Sequence, residues 1–357
     1  MTGITRMVSS PRVFVHEFIT GGGWPPGDLP FGLADEAAAM LQAILADFRA
    51  WGAVRTLTTL DARLAHRTLP ADEVVQVAPG QYQAVFSALL AHSDAALLIA
   101  PETEGHLARI SAWVEAAGKP LLSSSAAAVA IAGDKAACYE CFRQAGLPTP
   151  LTRRARFAEA PQVAREMGYP LVIKPLDGVG CEGVCLVNGP AELSEALAVV
   201  RCATPHEAIL LQSFIPGSHA SVSLLVAQGQ AIPLSLNGQE IAVGCPFTYR
   251  GGVVPLAHPL RARAFAVAQA AVGLLPGLRG YVGVDLVLTQ EEAWLLEINP
   301  RLTTSYIGLR QVAPFNLAQA IWDAACRGVL PGSVALRGRV RFSKDGGWTM
   351  EGRDRIG

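Results

Sequence analysis

Charge of either sign is scarce in this chain. Of its 357 residues, 17% are Asp, Glu, Lys or Arg, and the net charge is −1. So balanced a surface gives no electrostatic footprint for a nucleic-acid backbone or an anionic membrane, and neither is expected as a partner. The hydrophobic share, 51%, argues equally against disorder. Long apolar runs are missing too. A membrane-spanning helix needs roughly 18–20 such residues; the longest stretch, Ala84–Ala100, is broken by His92-Ser93-Asp94. Met1–Ser10 has no apolar centre of the kind a secretory leader needs. There is no internal repeat, and no Ser–His–Asp or Cys–His pairing that would signal a covalent nucleophile. The cysteines number seven, an odd count, and their scatter is no disulfide framework. Cys138 and Cys141 form a lone C-x-x-C in a helical pattern, without a second pair or nearby histidines, so buried thiols are expected. Cys181 and Cys185 are expected to be reduced. These absences leave a soluble, cytoplasmic protein long enough for two or three domains.

What is present begins with alternation. Strands are expected at 12–18, 54–57, 73–77, 95–100 and 120–123, and helices at 36–51, 81–92 and 107–117. That order predicts an open, mostly parallel sheet with helices on both faces, forming a domain over 11–123. Ligands of such sheets meet the loops after the strands' C-terminal ends. Two of these loops carry acids, Glu17 beside Gly21-Gly22-Gly23 and Glu102 in Pro101–Gly105. They are placed to hold a substrate amine, or are solvated acids near helix starts.

From 124 the texture changes. Ser124-Ser125 and Asp134 can each cap a helix, the second opening on Lys135. The stretch Tyr169–Val187 then runs from apolar residues to Lys174, through Gly178, Gly180 and Gly183, into Val184–Val187. The glycines fit G-x-G-x-x-G, but a dinucleotide fingerprint needs a helix next, and a strand pattern follows instead. The expectation is a β-hairpin whose glycine-rich tip lets backbone N–H groups approach an anion, or a merely flexible turn. Further strands are expected at 209–214, 220–227, 231–236 and 241–243. An irregular loop over 244–259 carries Arg250-Gly251-Gly252. Helices at 261–275 and 316–327 flank a hairpin at 281–288 and 293–298. Past Pro331 the chain turns basic and Gly-rich (Arg337, Arg339, Arg341, Lys344, Arg353, Arg355), which fits a peripheral hairpin or a loose tail over 331–357.

The most chemical part of the sequence is Asp285 with Leu296-Glu297-Ile298-Asn299-Pro300-Arg301. Glu297 and Asn299 are two apart on a strand and share a face. A turn at Gln290–Glu292 would set Asp285 opposite Glu297. Unpaired carboxylates among apolar strands demand a cation, and all-oxygen ligation favours Mg²⁺ or Mn²⁺. Pairing with Arg301 or a lysine is the plainer alternative.

Two lysines, a glycine hairpin and this acidic set, in this order, resemble the ATP-grasp superfamily over roughly Ser123–Arg327. The resemblance implies an α/β (α+β) ATP-grasp fold, with subdomains at 124–208 and 209–330 clasping ATP. It implies Lys135 and Lys174 on the phosphates, a flap at Gly178–Gly183, and adenine held along Gln212, Ser213, Phe214 and Ile215. Asp285, Glu297 and Asn299 would be the Mg²⁺ ligands. His219 stands where many members carry a ribose-binding glutamate. The implied reaction joins a carboxylate to an amine through an acylphosphate, with Arg301 or Arg250 stabilising the charge that develops.

Finer stretches resemble the tyramine–L-glutamate ligase family of methanofuran-type cofactor biosynthesis: His16–Gly23, Ile99–Gly105, Pro233–Gln239 and Asn299–Leu309. By that likeness the partners are small molecules, glutamate and an aromatic amine, with Glu17 and Glu102 on ammonium groups. A D-alanine–D-alanine-type or other dipeptide ligase and a non-catalytic ATP-binding regulator stay in competition. A homodimer stays open.

Overall fold

The computed structural model describes residues 10–351. The leader reading of the residues before Ser10, and the basic residues Arg353 and Arg355, lie outside the described residues. No helix among the described residues is long and apolar enough to cross a membrane.

The chain opens with β1 (Arg12–Glu17), α1 (Phe31–Trp51), β2 (Arg55–Asp61), β3 (Glu73–Val77), α2 (Tyr82–Ala91), β4 (Ala95–Ile99) and α3 (His106–Ala116). The strands make one parallel sheet in the order β3-β2-β1-β4. All of β4, and all of β1 after Arg12, is buried, as parallel strands covered on both faces require. Phe14 and His16, two apart on one face, meet Phe86 of α2, while α1 packs against β1 and β2. Gly52 stops α1, its φ of 70° supplying the left-handed cap and its N–H returning to the Phe48 carbonyl.

His16 is the notable polar residue of this core. It is fully buried between Thr59 and Tyr82, with Nδ1···Oγ1 at 2.8 Å and Nε2···Oη at 3.0 Å. Burial pushes its pKa from 6.5 down to about 3. Between those values only the unfolded chain takes up the proton. Stability is therefore full above about pH 6.5 and falls as the pH drops through that window. By pH 5 this residue should have cost the fold about 2 kcal/mol relative to pH 7. In urea melts, His16→Gln should lose correspondingly less stability on acidification. Equal losses in the two proteins would refute the assignment.

Next come α4 (Ala126–Gly133) and α5 (Lys135–Gln144), capped by the side chains of Ser125 and Asp134. Asp134 Oδ1 accepts from the N–H groups of Ala136 and Ala137 at 2.9 and 3.1 Å, which makes Lys135 the first residue of α5. Cys138 on α5 is buried in the core and its thiol is pushed up to about 12 by burial. A second sheet follows, from β5 (Thr152–Arg156), α6 (Ala160–Met167), β6 (Leu171–Lys174), β7 (Cys185–Val187), α7 (Leu193–Cys202) and β8 (Ala208–Ser213). It is antiparallel, in the order β5-β8-β6-β7, with α6 and α7 packed on it.

The rest of the chain builds a seven-stranded antiparallel sheet in the order β13-β12-β9-β10-β11-β14-β15. Its elements are β9 (Ser218–Ala227), β10 (Gln230–Ala242), β11 (Thr248–Val254), α8 (Arg261–Gly273), β12 (Gly280–Leu288), β13 (Ala293–Asn299), α9 (Ser305–Val312), α10 (Leu317–Trp322), β14 (Arg339–Ser343) and β15 (Trp348–Glu351).

Several expectations are corrected here. Residues 244–259 are not an irregular loop, because Thr248–Val254 is the strand β11. Its glycines answer close backbone approach. A Cβ at Gly251 would lie 2.1 Å from the Phe342 carbonyl oxygen, and one at Gly252 2.1 Å from that of Gly238. Residues 241–243 are no separate strand; β10 runs through to Ala242 with a register shift at Glu240/Ile241. The 120–123 run makes only a bridge from Leu121 to Ala96. Of the two forms open to the segment past Pro331, the described part takes the hairpin, and Phe342 is buried. Cys185 is not a reduced thiol: it is bonded to Cys245. The segment after β10 runs beside β7, with Leu186 N–H donating to the Gly244 carbonyl at 2.8 Å and Phe247 N–H to that of Val184 at 2.7 Å. That pairing brings together sulfurs 60 positions apart.

Candidate active site

The β12–β13 hairpin sets the chemistry. Leu288 pairs with Ala293 across Thr289–Glu292, and a register shift between Asp285 and Leu286 brings Asp285 opposite Glu297. The expected pairing is thus reached by a longer loop and a bulge, not by a three-residue turn. Around it opens a cleft with about 1300 Å³ of empty space, solvent at its mouth included. It is lined by Lys135, Lys174, Gly178, Gly180, Gln212, Ser213, Phe214, Ile215, His219, Asp285, Glu297, Asn299 and Arg301. Residues from six separate elements and three loops therefore converge on one cleft.

Gly183 does not line the cleft but shapes its edge. Its φ is 66°, and a Cβ there would stand 2.5 Å from that of Ala203. Gly180, at φ 64°, turns the same loop in open space. The loop's base is pinned: Asp177 accepts from Glu104 N–H at 2.8 Å, and its carbonyl from Thr103 Oγ1 at 3.0 Å.

The polar contacts define a charge pattern. Lys135 Nζ lies 2.9 Å from Glu297 Oε2 and donates to the Gly178 carbonyl at 2.8 Å. Burial opposes its charge, yet Glu297 outweighs it and raises the pKa. Lys174 Nζ donates to Gln212 Oε1 at 3.0 Å, and Gln212 in turn to Thr152 Oγ1 at 2.8 Å. With only a neutral partner, Lys174 is brought down to about 8, mainly by burial, with Lys135 also pushing down against Glu297. Burial and then Glu297 push Asp285 well up, while Lys135 and Lys174 overcome burial and hold Glu297 down.

Asp285 accepts from two amides, Gln239 Nε2 at 3.1 Å and Asn299 Nδ2 at 3.0 Å, and faces the Glu297 carboxylate. Nearby, Asn237 Oδ1 is buried without a hydrogen-bond partner. The site thus gathers two facing carboxylates, only one of them ion-paired to a lysine, and an orphaned amide oxygen. This donor set fits a divalent cation, and Asn299 turned over presents its own oxygen to it. His219 is half-buried, and burial lowers its pKa, so it is neutral.

Three expected residues sit otherwise. Arg250 is exposed on β11 and does not line the cleft; its carbonyl accepts from Lys344 N–H. Glu17 is 1% exposed and fully engaged, accepting from Ile19 N–H (3.1 Å), Thr20 N–H (2.6 Å) and Thr20 Oγ1 (2.7 Å). Glu102 grips Arg301, Oε1 to Nε at 2.9 Å and Oε2 to Nη2 at 3.0 Å. Neither acid is free to receive an ammonium group. Sequence reasoning missed Glu36 of α1, which lines the cleft, and Gln239 and Tyr249, which come from the strands read as broken or irregular. The signal for Glu36 was available: Leu33, Glu36, Ala37 and Met40 fall at i, i+3, i+4, i+7, so a carboxylate interrupts an apolar stripe.

The pre ATP-grasp 3 domain matches residues 54–129, and the ATP-grasp domain matches residues 132–305. Fold and cleft together define the class, and the chain belongs to the ATP-grasp superfamily. Among its relatives, the tyramine–L-glutamate ligase of Methanocaldococcus fervens is 34% identical over 61% of this chain and 62% of its own. That of Methanocaldococcus jannaschii is 33% identical over 61% of this chain and 58% of its own. The chain thus spans about three fifths of the length of these curated relatives. A solved ATP-grasp superfamily structure from Archaeoglobus fulgidus superposes with a TM-score of 0.69 at 26% identity, covering 93% of this chain and 92% of its own.

Proposed function

We propose that this protein is an ATP-dependent carboxylate–amine ligase, cytoplasmic, joining the γ-carboxylate of L-glutamate to tyramine or a related aromatic amine. By likeness to its relatives, the amide serves a methanofuran-type cofactor. The observation that carries the reading is the facing Asp285–Glu297 pair in one cleft with Lys135 and Lys174.

The roles of the side chains follow from their surroundings. Mg²⁺ bound with ATP, held by Asp285, Glu297 and Asn299, would offset phosphate charge and polarise the transferred phosphoryl group. Lys174, bonded only to a neutral amide, is available to a phosphate oxygen. Lys135 exchanges Glu297 or the Gly178 carbonyl for another. The backbone of Gln212–Ile215 holds the base, and neutral His219 donates one ring N–H to a ribose hydroxyl. The loop 175–184, turning on Gly180 and Gly183, keeps water from the mixed anhydride. Arg301, fixed by Glu102, faces the charge that develops on the acyl oxygen.

The test is phosphate release from Mg²⁺–ATP with L-glutamate and a panel of amines. Release dependent on both L-glutamate and tyramine is expected. No amine-dependent release with any panel member would end the ligase reading, and release with D-alanine in place of glutamate would favour a dipeptide ligase.

A further inference from the structure

A second, smaller chamber adjoins the cleft, with about 380 Å³ of empty space, open solvent included. Its walls are largely apolar, from Leu33, Ala37, Met40 and Ile99. It shares Glu36, Val179, Gly180 and Arg301 with the main cleft, so it opens onto the proposed reaction site beneath the glycine loop. The three acids near it differ in what holds them. Glu17 is tied to its own turn and Glu102 to Arg301. Glu36 makes no hydrogen bond or ion pair with a described residue. A carboxylate kept for structure has partners, as Asp47 on the same helix shows by accepting from Tyr306 and Arg310. Burial raises the Glu36 pKa, against Arg301 and Lys344, which prepares it to take up a proton.

We infer that Glu36 receives the amine substrate, its carboxylate first pairing with the ammonium and then taking its proton, while the apolar chamber holds the hydrocarbon body. This rests on the ligase reading and adds to it the residue that prepares the nucleophile. The freed amine attacks the acyl carbon; a C–N bond forms and the bond from that carbon to the phosphate oxygen breaks. Of the three ammonium protons, one goes to Glu36, one stays on the amide nitrogen, and one leaves on hydrogen phosphate. Among the described residues lining the chamber, the basic one, Arg301, is already gripped by Glu102. The chamber therefore suits an amine without a carboxylate.

Hydroxylamine separates this claim from the reading beneath it. It is small, and it is neutral at pH 7, so it traps the activated carboxyl without a base. With ATP and L-glutamate, the wild type should form both the hydroxamate and the tyramine amide, favouring tyramine over L-tyrosine by on the order of 10²-fold. Glu36→Gln should lower tyramine amide formation by about 10²-fold or more at pH 7, and hydroxamate formation by less than about tenfold. The lost rate should recover as the pH rises and free amine becomes more abundant. Calorimetric titration of tyramine without ATP should show weaker binding to Glu36→Gln, and Glu36→Asp should fall between. Equal loss of both products, or a tyramine rate within about threefold of wild type, would overturn the role of Glu36. No hydroxamate from the wild type would instead remove the ligase reading itself.

Discussion

Glu297→Gln is expected to lower amide-forming turnover by about 10³-fold or more and to move the melting temperature by no more than about 2–4 °C. The two halves of this prediction have different causes. Glu297 is the one acid of the facing pair kept ionised, because Lys135 and Lys174 outweigh its burial. Neutralising it removes charge where a divalent cation would have to sit, and the remaining acid, Asp285, accepts from the Gln239 and Asn299 amides. Stability is spared by a cancellation. Lys135 loses its partner at 2.9 Å, but Asp285 loses the like charge that pushes its pKa up. Steady-state phosphate release and a thermal melt on the same preparation give both numbers. Turnover within tenfold of wild type would remove Glu297 from the metal site, and a melting temperature lowered by more than about 10 °C would make it a structural residue instead.

Asp47→Ala is expected to do the opposite, lowering stability by about 3 kcal/mol while leaving every cleft-lining side chain in place. Asp47, on α1, accepts from Tyr306 Oη at 2.6 Å and from Arg310 Nε and Nη2 at 3.0 and 2.6 Å. Its carbonyl accepts from Asn316 Nδ2 at 2.8 Å. The backbone carbonyl, which the substitution keeps, holds the segment after α9, and the carboxylate ties the parallel-sheet region to α9 itself. Its removal strands a guanidinium and a buried phenol. The lower end of the usual range for a broken buried pair applies, because the Arg310 side chain is still 23% exposed and solvent screens it. Tyr306→Phe keeps the ion pair and should cost only about 1 kcal/mol. Urea midpoints of the two variants check the ranking; equal shifts would mean that packing of the ring, not the carboxylate, holds the two regions together.

The part of this site written in sequence is the part with a fixed period. Strand alternation puts Glu297 and Asn299 on one face, and a hairpin has few registers, so Asp285 opposite Glu297 is readable even though the actual loop and bulge are not. Helix caps are equally local, and Asp134 ahead of Lys135 announces α5. What fails is whatever depends on a distant backbone. Gly251 and Gly252 look like loop residues because the sequence does not show Phe342 and Gly238 pressing on them. Glu17 and Glu102 stand at strand ends as ligand-binding acids do, but the Thr20 hydroxyl and Arg301 had already taken them. Asp47 gives no sign of its partners, the nearest of them 259 residues away along the chain. Glu36 is the intermediate case, visible as a break in an apolar stripe but without meaning until the chamber behind it is seen.

The bond between Cys185 and Cys245 gives the cleft its mechanics. β7 belongs to one sheet and Cys245 to the connection between two strands of the other, so the sulfurs rivet the sheets together along one rim. Sheets riveted there cannot swing apart as two free jaws. Movement on that side is left to the span from Pro175 to Val184, whose near end is moored through Asp177 to Glu104 and whose far end runs into the rivet. A span held at both ends can bow but cannot swing open as a gate. On the proposed ligase reading, a nucleotide admitted on that side would pass under Gly178–Gly183, and the height of that arch, more than any rotation of whole sheets, would set the size of the doorway.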